Sequence, residues 1–373
     1  MPPAARLLDL TRLLSRLGKG QPTGVDRVEA AYLSRLLALT EPCFALLRSG
    51  AGFVLLDRAG MAAFQNLFRK QGPLPPADLL SRLTRRSDPV LAQSETAIRA
   101  LAFARCIPPR LPQMLRRVLP AGFAYLNTGH ANLTDDILSK LREGGAGKIA
   151  ALIHDTIPLD HPEFSRPDTV GVFRDKLAAT ARHADLVIHT ATINRAQTEN
   201  HFARFNRIPE GVVALLGTDP PQPDPMPPRD QPYFVTLGTI EPRKNHAFLL
   251  NLWQNLHDQL PEAEVPHLLI LGRRGWMNDA VFQRLDTAAF MGRTVFEFSG
   301  LPDGQVAGLI AGSCGLLFPS FVEGFGLPAL EAASLGVDVV LPPLPIYRET
   351  LGNYPVYADL SDSYSWLETI IRL

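Results

Sequence analysis

The chain has 373 residues, of which 46% are hydrophobic and 20% charged, with a formal net charge of zero; it is long enough for two domains and shows no overall basic balance suited to nucleic acid. The zero hides an asymmetry: residues 1–225 carry 28 basic against 21 acidic side chains, and residues 226–373 carry 9 against 16. A basic first half fits an anionic lipid surface or an anionic acceptor.

The three cysteines, Cys43, Cys106 and Cys314, are widely spaced and form neither a zinc nor a disulfide pattern, which favours a reducing cytoplasm. No charged leader followed by an apolar run opens the sequence, and no stretch reaches the roughly 18–20 apolar residues of a membrane span. Any work at a membrane is therefore expected to be peripheral, on its inner face.

Short apolar runs predict first-half strands at 6–10, 43–47, 53–56, 121–127, 148–154, 185–190 and 212–215. The Pro- and Arg-rich stretch 70–120 reads as helical or irregular. A run of prolines from Pro220 to Pro232 denies helix and sheet pairing and marks a linker. The predicted organisation is a domain over 1–220, a linker over 221–232 and a second domain over 233–373. In that second domain, strands are predicted at 233–238, 267–272, 294–300, 315–320, 338–342 and 355–360, with helical stretches between them. Such alternation means α/β domains with parallel sheets, two Rossmann-like domains facing across a cleft.

Four stretches carry candidate chemistry. Phe318-Pro-Ser-Phe-Val-Glu323-Gly-Phe-Gly-Leu-Pro-Ala-Leu-Glu331 runs from a strand through a Gly-x-Gly turn into a helix that Pro328 opens and Gly336 closes. Its glycines let backbone amides approach a ligand, and the helix start suits a diphosphate. Glu323 falls at the strand end and Glu331 in the first helical turn, where two carboxylates flanking a phosphate-binding turn fit the hydroxyls of a nucleotide sugar. Gly238-Thr-Ile-Glu-Pro-Arg243-Lys244-Asn245 places a planar fork and a point charge at another strand end, matched to a diphosphate. His154-Asp155 ends the 148–154 strand, where His154 can bond a sugar hydroxyl or Asp155 can cap the segment after it. Gln21-Pro-Thr-Gly24-Val-Asp26 offers backbone donors or a plain strand-to-helix turn. Gly144-Gly-Ala-Gly-Lys148 only imitates a phosphate loop, because Arg142 stands where glycine is needed and a strand comes next. No D-x-D motif follows a strand, so no metal is expected and protein cations must carry leaving-group charge.

The spacing from Glu323 to Glu331 around Gly-Phe-Gly-Leu-Pro, with the Gly-Thr-Ile-Glu-Pro-Arg-Lys-Asn stretch, resembles GT-B-fold retaining glycosyltransferases of the family 4 type. Thr23-Gly-Val-Asp-Arg-Val-Glu29, Leu126-Asn-Thr-Gly-His-Ala-Asn132 and His154-Asp-Thr-Ile-Pro158 are similar to segments of bacterial polysaccharide enzymes. The resemblance implies that Arg243 and Lys244, beside Gly238, hold the donor diphosphate, and that Glu331 binds ribose. It implies that Glu323 and the amides of Gly324, Phe325, Gly326 and Leu327 bind the transferred sugar. His154 would contact that sugar and Gly24 would lie near the phosphates. Among these residues His154, Arg243, Lys244 and Glu323 are the catalytic candidates. No cofactor is implied; the donor is a nucleotide sugar, GDP-mannose or a UDP-sugar, and the acceptor a glycan or lipid-linked hydroxyl. Thr239 stands where many relatives have Arg, and Arg243 is expected to replace it. Relatives often end in a long crossover helix, here expected to be short or absent. Competing readings are a sugar-nucleotide epimerase, a phosphorylase, or a non-catalytic scaffold of a polysaccharide assembly complex.

Overall fold

The computed structural model describes residues 3–70, 72–219, 221–227 and 229–373, so Pro220 and Pro228 of the proline run lie outside the described residues. The chain divides into two units: residues up to Asp155 with Gly171–Ala214, and Thr156–Val170 with Leu215–Leu373.

The first unit holds strands β1 (Arg6–Asp9), β2 (Cys43–Ser49), β3 (Gly52–Leu56), β4 (Ala104–Cys106), β5 (Phe123–Asn127), β6 (Ala146–Ile153), β7 (Leu186–His189) and β8 (Glu210–Val213). They form one sheet ordered β4-β3-β2-β1-β5-β6-β7-β8. In sheet order, pairing is parallel from β2 through β8, and the inner strands are the largely buried apolar runs that such pairing favours, while β8 is an exposed edge. The edge differs from an all-parallel sheet. β2 and β3 pair antiparallel, with Ser49 opposite Gly52, because a two-residue connection cannot cross over. β4, absent from the predicted strands, pairs antiparallel on β3. Gly52 has a φ of 127°, and a Cβ there would lie 2.2 Å from the Cys106 carbonyl oxygen.

The second unit holds β9 (Tyr233–Leu237), β10 (His267–Leu271), β11 (Val295–Phe298), β12 (Gly315–Leu317), β13 (Val339–Leu341) and β14 (Val356–Tyr357). All pair parallel in the order β11-β10-β9-β12-β13-β14. The order reverses between β9 and β12, the switch point at whose carboxyl side open α/β sheets bind ligands. Trp253 and Trp366 are fully buried in its core, and Trp366 meets Phe248 edge-on at 5.2 Å. The last helix, Ser363–Arg372, thus packs on its own unit. Asp224 of the proline-rich stretch is also bound there, its amide donating to the Gly304 carbonyl at 2.9 Å.

The second unit takes one piece from earlier in the sequence. In Thr156–Val170, Phe164 stacks on Phe321 with ring centroids 5.6 Å apart and planes 6° from parallel. Its carbonyl accepts from Trp276 Nε1 at 3.3 Å, and the Arg166 guanidinium lies 5.3 Å from the Trp276 ring centroid.

Candidate functional site

Two loops meet at the switch point of the second unit. After β9 the chain passes Gly238, whose φ is 141°, into a short 3-10 turn, Pro242–Lys244. Left-handed Asn245 then starts the helix His246–Gln259. Here close approach demands glycine: a Cβ on Gly238 would sit 3.2 Å from Lys244 Cε, and one on Gly272 would lie 1.9 Å from the Gly238 carbonyl oxygen. After β12 the chain runs through Phe318 to Glu323, then turns at left-handed Gly326 into the helix Leu327–Ser334. The Phe321 amide donates to the Arg243 carbonyl at 2.9 Å and ties the two loops together.

Charge is concentrated at that junction. Glu323 is buried and receives Lys244 Nζ at 2.6 Å on Oε1 and Arg243 Nη1 at 2.7 Å on Oε2. Arg243 also donates to the Val322 carbonyl at 3.0 Å and, through Nη2, to buried Glu241 at 2.7 Å. Lys244 Nζ lies 4.1 Å from the Phe318 ring centroid, a cation–π contact. Burial pushes the Glu323 carboxyl up, but the Arg243 guanidinium and Lys244 ammonium outweigh it and hold the group at about 2. Burial pulls Lys244 below its ordinary value, and Glu323 opposes that pull. Glu241 lies inside the cation-loop motif, yet sequence reasoning gave it no role.

The structure therefore brings Gly238, Arg243, Lys244 and Glu323 together. Gly324, Phe325, Gly326 and Leu327 form the turn and helix start expected of them. Glu331 is buried on that helix but not in its first turn: the helix begins at Leu327, so Glu331 is the fifth residue.

His154 and Gly24 belong to the first unit. His154 is buried, and its Nε2–H donates to the Thr128 carbonyl at 2.8 Å, leaving Nδ1 as an acceptor. Burial lowers its pKa to about 4, so the ring is neutral at pH 7. Its backbone carbonyl accepts from Thr190 at 2.9 Å and Asn194 at 3.1 Å. Thr156 holds the N-cap position of the next helix, Ile157–Asp160, without a side-chain cap hydrogen bond of its own.

Gly24 is the first residue of the helix Gly24–Ala38, behind a Thr23–Asp26 capping box. Asp26 is fully buried and also binds Arg12 at 2.7 Å and Arg16 at 3.2 Å. Glu29 packs so closely on Gly129 that a Cβ there would lie 1.8 Å from Glu29 Oε2. Asp9, at the end of β1, accepts from Tyr125 at 2.7 Å and Asn132 at 2.8 Å. The three first-half motifs thus converge on the carboxyl ends of β1, β5 and β6, which their separation in sequence concealed.

Residues 222–370 match the family model described as glycosyl transferases group 1. Serotype-specific mannosyltransferase WbdA of Escherichia coli is 30% identical over 231 residues, covering 57% of this chain and 28% of the relative. O-antigen chain mannosyltransferase B of Escherichia coli is 38% identical over 133 residues, 35% of this chain and 34% of the relative. The chain therefore spans about a third or less of the length of these curated relatives. Among solved structures, HepE of Anabaena, in complex with UDP and glucose, aligns over 99% of this chain and 89% of its own, with a TM-score of 0.62 at 14% identity. A trehalose-6-phosphate protein of Escherichia coli bound with UDP-2-fluoro glucose aligns over 99% and 90%, with a TM-score of 0.62 at 12% identity. The chain has the two Rossmann-like units of the GT-B fold, and the match to the glycosyl transferases group 1 model falls within its second unit.

Proposed function

We propose that the chain is a hexosyltransferase of surface polysaccharide synthesis, of the family 4 type, moving a sugar from a nucleoside-diphosphate donor to a hydroxyl of a glycan or lipid-linked acceptor with retention of configuration. The observation that carries this reading is the buried Arg243–Lys244–Glu323 junction at the β9/β12 switch point, inside the matched domain. Arg243 and Lys244 hold the diphosphate and stabilise the charge that builds on it as the sugar–phosphate bond loosens. Glu323 and the amides of Gly324–Leu327 bind the transferred sugar, and buried Glu331 takes the ribose hydroxyls. Neutral His154 accepts from a sugar hydroxyl through Nδ1, and Gly24 lies near the phosphates. The acceptor proton passes to the departing phosphate oxygen, so no protein base is required.

The relatives' names support mannose as the sugar and make GDP-mannose the first donor to test, ahead of a UDP-sugar. The test is incubation with each nucleotide sugar, with and without an oligosaccharide or polyprenyl-linked acceptor, followed by mass spectrometry and anomeric NMR of the product. An acceptor-dependent mass gain with the donor's anomeric configuration is expected. Turnover without acceptor, or only with inorganic phosphate, would instead identify an epimerase or a phosphorylase.

Peripheral contact with an anionic membrane is part of the proposal. No helix among the described residues is long and apolar enough to cross a membrane. The apolar side chains of the helix Leu111–Val118 are mostly core residues, with Leu111, Met114 and Leu115 buried. The better surface lies about the β2–β3 hairpin tip, which borders Thr84 and Arg85 on one side and Ile107 on the other. There Leu79, Leu83 and Ile107 are each more than half exposed (75%, 54% and 53%). Asp78, Asp88 and Glu95, the acidic residues of 71–120, are paired with Arg99, Lys19 and Arg85. The remaining arginines thus leave a net positive, partly apolar face.

A further inference from the structure

Two hydroxyls beside the junction have no use in the mechanism above. Ser320 Oγ and Tyr347 Oη are completely buried, and neither makes a hydrogen bond. Buried hydroxyls are rarely left unpaired, so each requires a reason. Tyr347 is packed on two sides. Its ring lies 6.3 Å from that of Phe318, whose own ring centroid is 4.1 Å from Lys244 Nζ. The Gly326 turn packs on it so tightly that a Cβ at Gly326 would meet Tyr347 Cε1 at 2.6 Å. Ser320 Oγ lies close to both the Glu323 carboxylate and the Tyr347 hydroxyl, near enough to act on their charge but short of hydrogen-bond geometry with either. Burial, followed by the charge of Glu323, raises the Tyr347 phenol well above its ordinary value, so it keeps its proton and is a donor.

The junction itself poses the complementary problem. Glu323 takes both cations, Arg243 at 2.7 Å and Lys244 at 2.6 Å. A donor diphosphate that engages the same cations competes with an ionised carboxylate, which needs other donors when displaced.

We propose that Ser320 and Tyr347 form a second seat for the Glu323 carboxylate, which moves onto their hydroxyls as a nucleoside diphosphate takes Arg243 and Lys244. Both are positioning residues, and the inference rests on the donor-site reading given above. Glu323 is then a two-position group. Seated on the cations it holds them in place; seated on the hydroxyls it is freed from ion pairing to accept from the transferred sugar.

The test is calorimetric titration of the full chain with GDP and with UDP, in a double-mutant cycle. Tyr347→Phe is expected to weaken nucleoside-diphosphate binding about tenfold, the scale of one hydrogen bond to a charged group. Glu323→Gln removes the competing charge, so the same Tyr347→Phe change in that background should alter affinity less than about twofold. Ser320→Ala provides an independent second variant with the same expected pattern, should Tyr347→Phe melt early. Equal losses in both backgrounds, for whichever variant folds, would show that the hydroxyl only supports the packing and would overturn the proposal. So would unchanged affinity of Tyr347→Phe and Ser320→Ala in the parent chain. If the parent chain binds neither GDP nor UDP, the donor-site reading fails and this inference falls with it; binding without coupling overturns the second seat alone.

Discussion

At the scale of single residues, the junction asks more of Lys244 than charge. It is buried, spans from Glu323 to the face of Phe318, and fills the space that Gly238 leaves open. Lys244→Ala should lower sugar transfer by about 100-fold or more, because a preorganised cation at a developing charge is lost. It should also cost about 1–3 kcal/mol of stability, since Glu323 stays buried with Arg243 as its remaining cation. Paired rate assays and denaturant titrations check this; near-normal turnover in a folded variant would remove Lys244 from the site. The residues of the junction were legible in sequence because each sits in a strand–glycine–helix pattern. Their ion pairing was not: Lys244 and Glu323 stand 79 positions apart, and only the switch-point order of the sheet brings the two loops together. Ser320 and Tyr347 left no signal, because an unpartnered hydroxyl is a property of packing and not of pattern.

At the scale of elements, the helix Leu327–Ser334 has a left-handed glycine at each end, Gly326 with φ 84° and Gly336 with φ 75°. Replacing either by alanine incurs the left-handed penalty of about 1–2 kcal/mol. A Cβ at Gly336 meets nothing within 4 Å, whereas one at Gly326 meets the Tyr347 ring at 2.6 Å. Gly326→Ala should therefore destabilise by at least about 1 kcal/mol more than Gly336→Ala, the added cost of overpacking. Comparing the two chemical-denaturation midpoints decides the point, and equal losses would contradict it. The same helix shows where pattern reading stops. Gly-x-Gly announces a turn but not which glycine takes the left-handed conformation, and Glu331 consequently falls one residue beyond the first turn expected for it. The predicted strands of both halves appear within a few residues, since parallel-sheet strands are continuous apolar runs. β4 escaped because its three residues surround Arg105 on a sheet edge, where no apolar run is needed.

At the scale of the whole molecule, acid should be the condition that exposes the buried groups. The folded pKa values of His154, about 4, and His246, about 3, lie below the ordinary 6.5 because burial disfavours the charged ring. Each therefore contributes stability fully present above pH 6.5 and lost as pH falls through the folded value, about 3 kcal/mol for His154 and about 5 kcal/mol for His246 at the limit. Glu323, held at about 2 against an ordinary 4.5, adds a second loss between those values. The melting temperature should fall steadily from about pH 6.5 downward; a flat profile to pH 4.5 in scanning calorimetry would refute the assignment. The basic, apolar face about the hairpin tip predicts co-sedimentation with phosphatidylglycerol vesicles, but not with phosphatidylcholine, and a loss of binding in Leu79→Asp/Leu83→Asp. Equal retention on both lipids would remove the membrane from the proposal. The segment Thr156–Val170 was beyond sequence reading altogether, because domain boundaries inferred from proline content assume that each domain is continuous. Its placement has a consequence during synthesis. Phe164 leaves the ribosome well before Phe321, at elongation rates that leave it waiting roughly 8–30 s for its stacking partner. The second unit is thus begun early and completed late, and until the β12 loop emerges its first aromatic anchor is a nascent-chain hydrophobe open to chaperones and proteases.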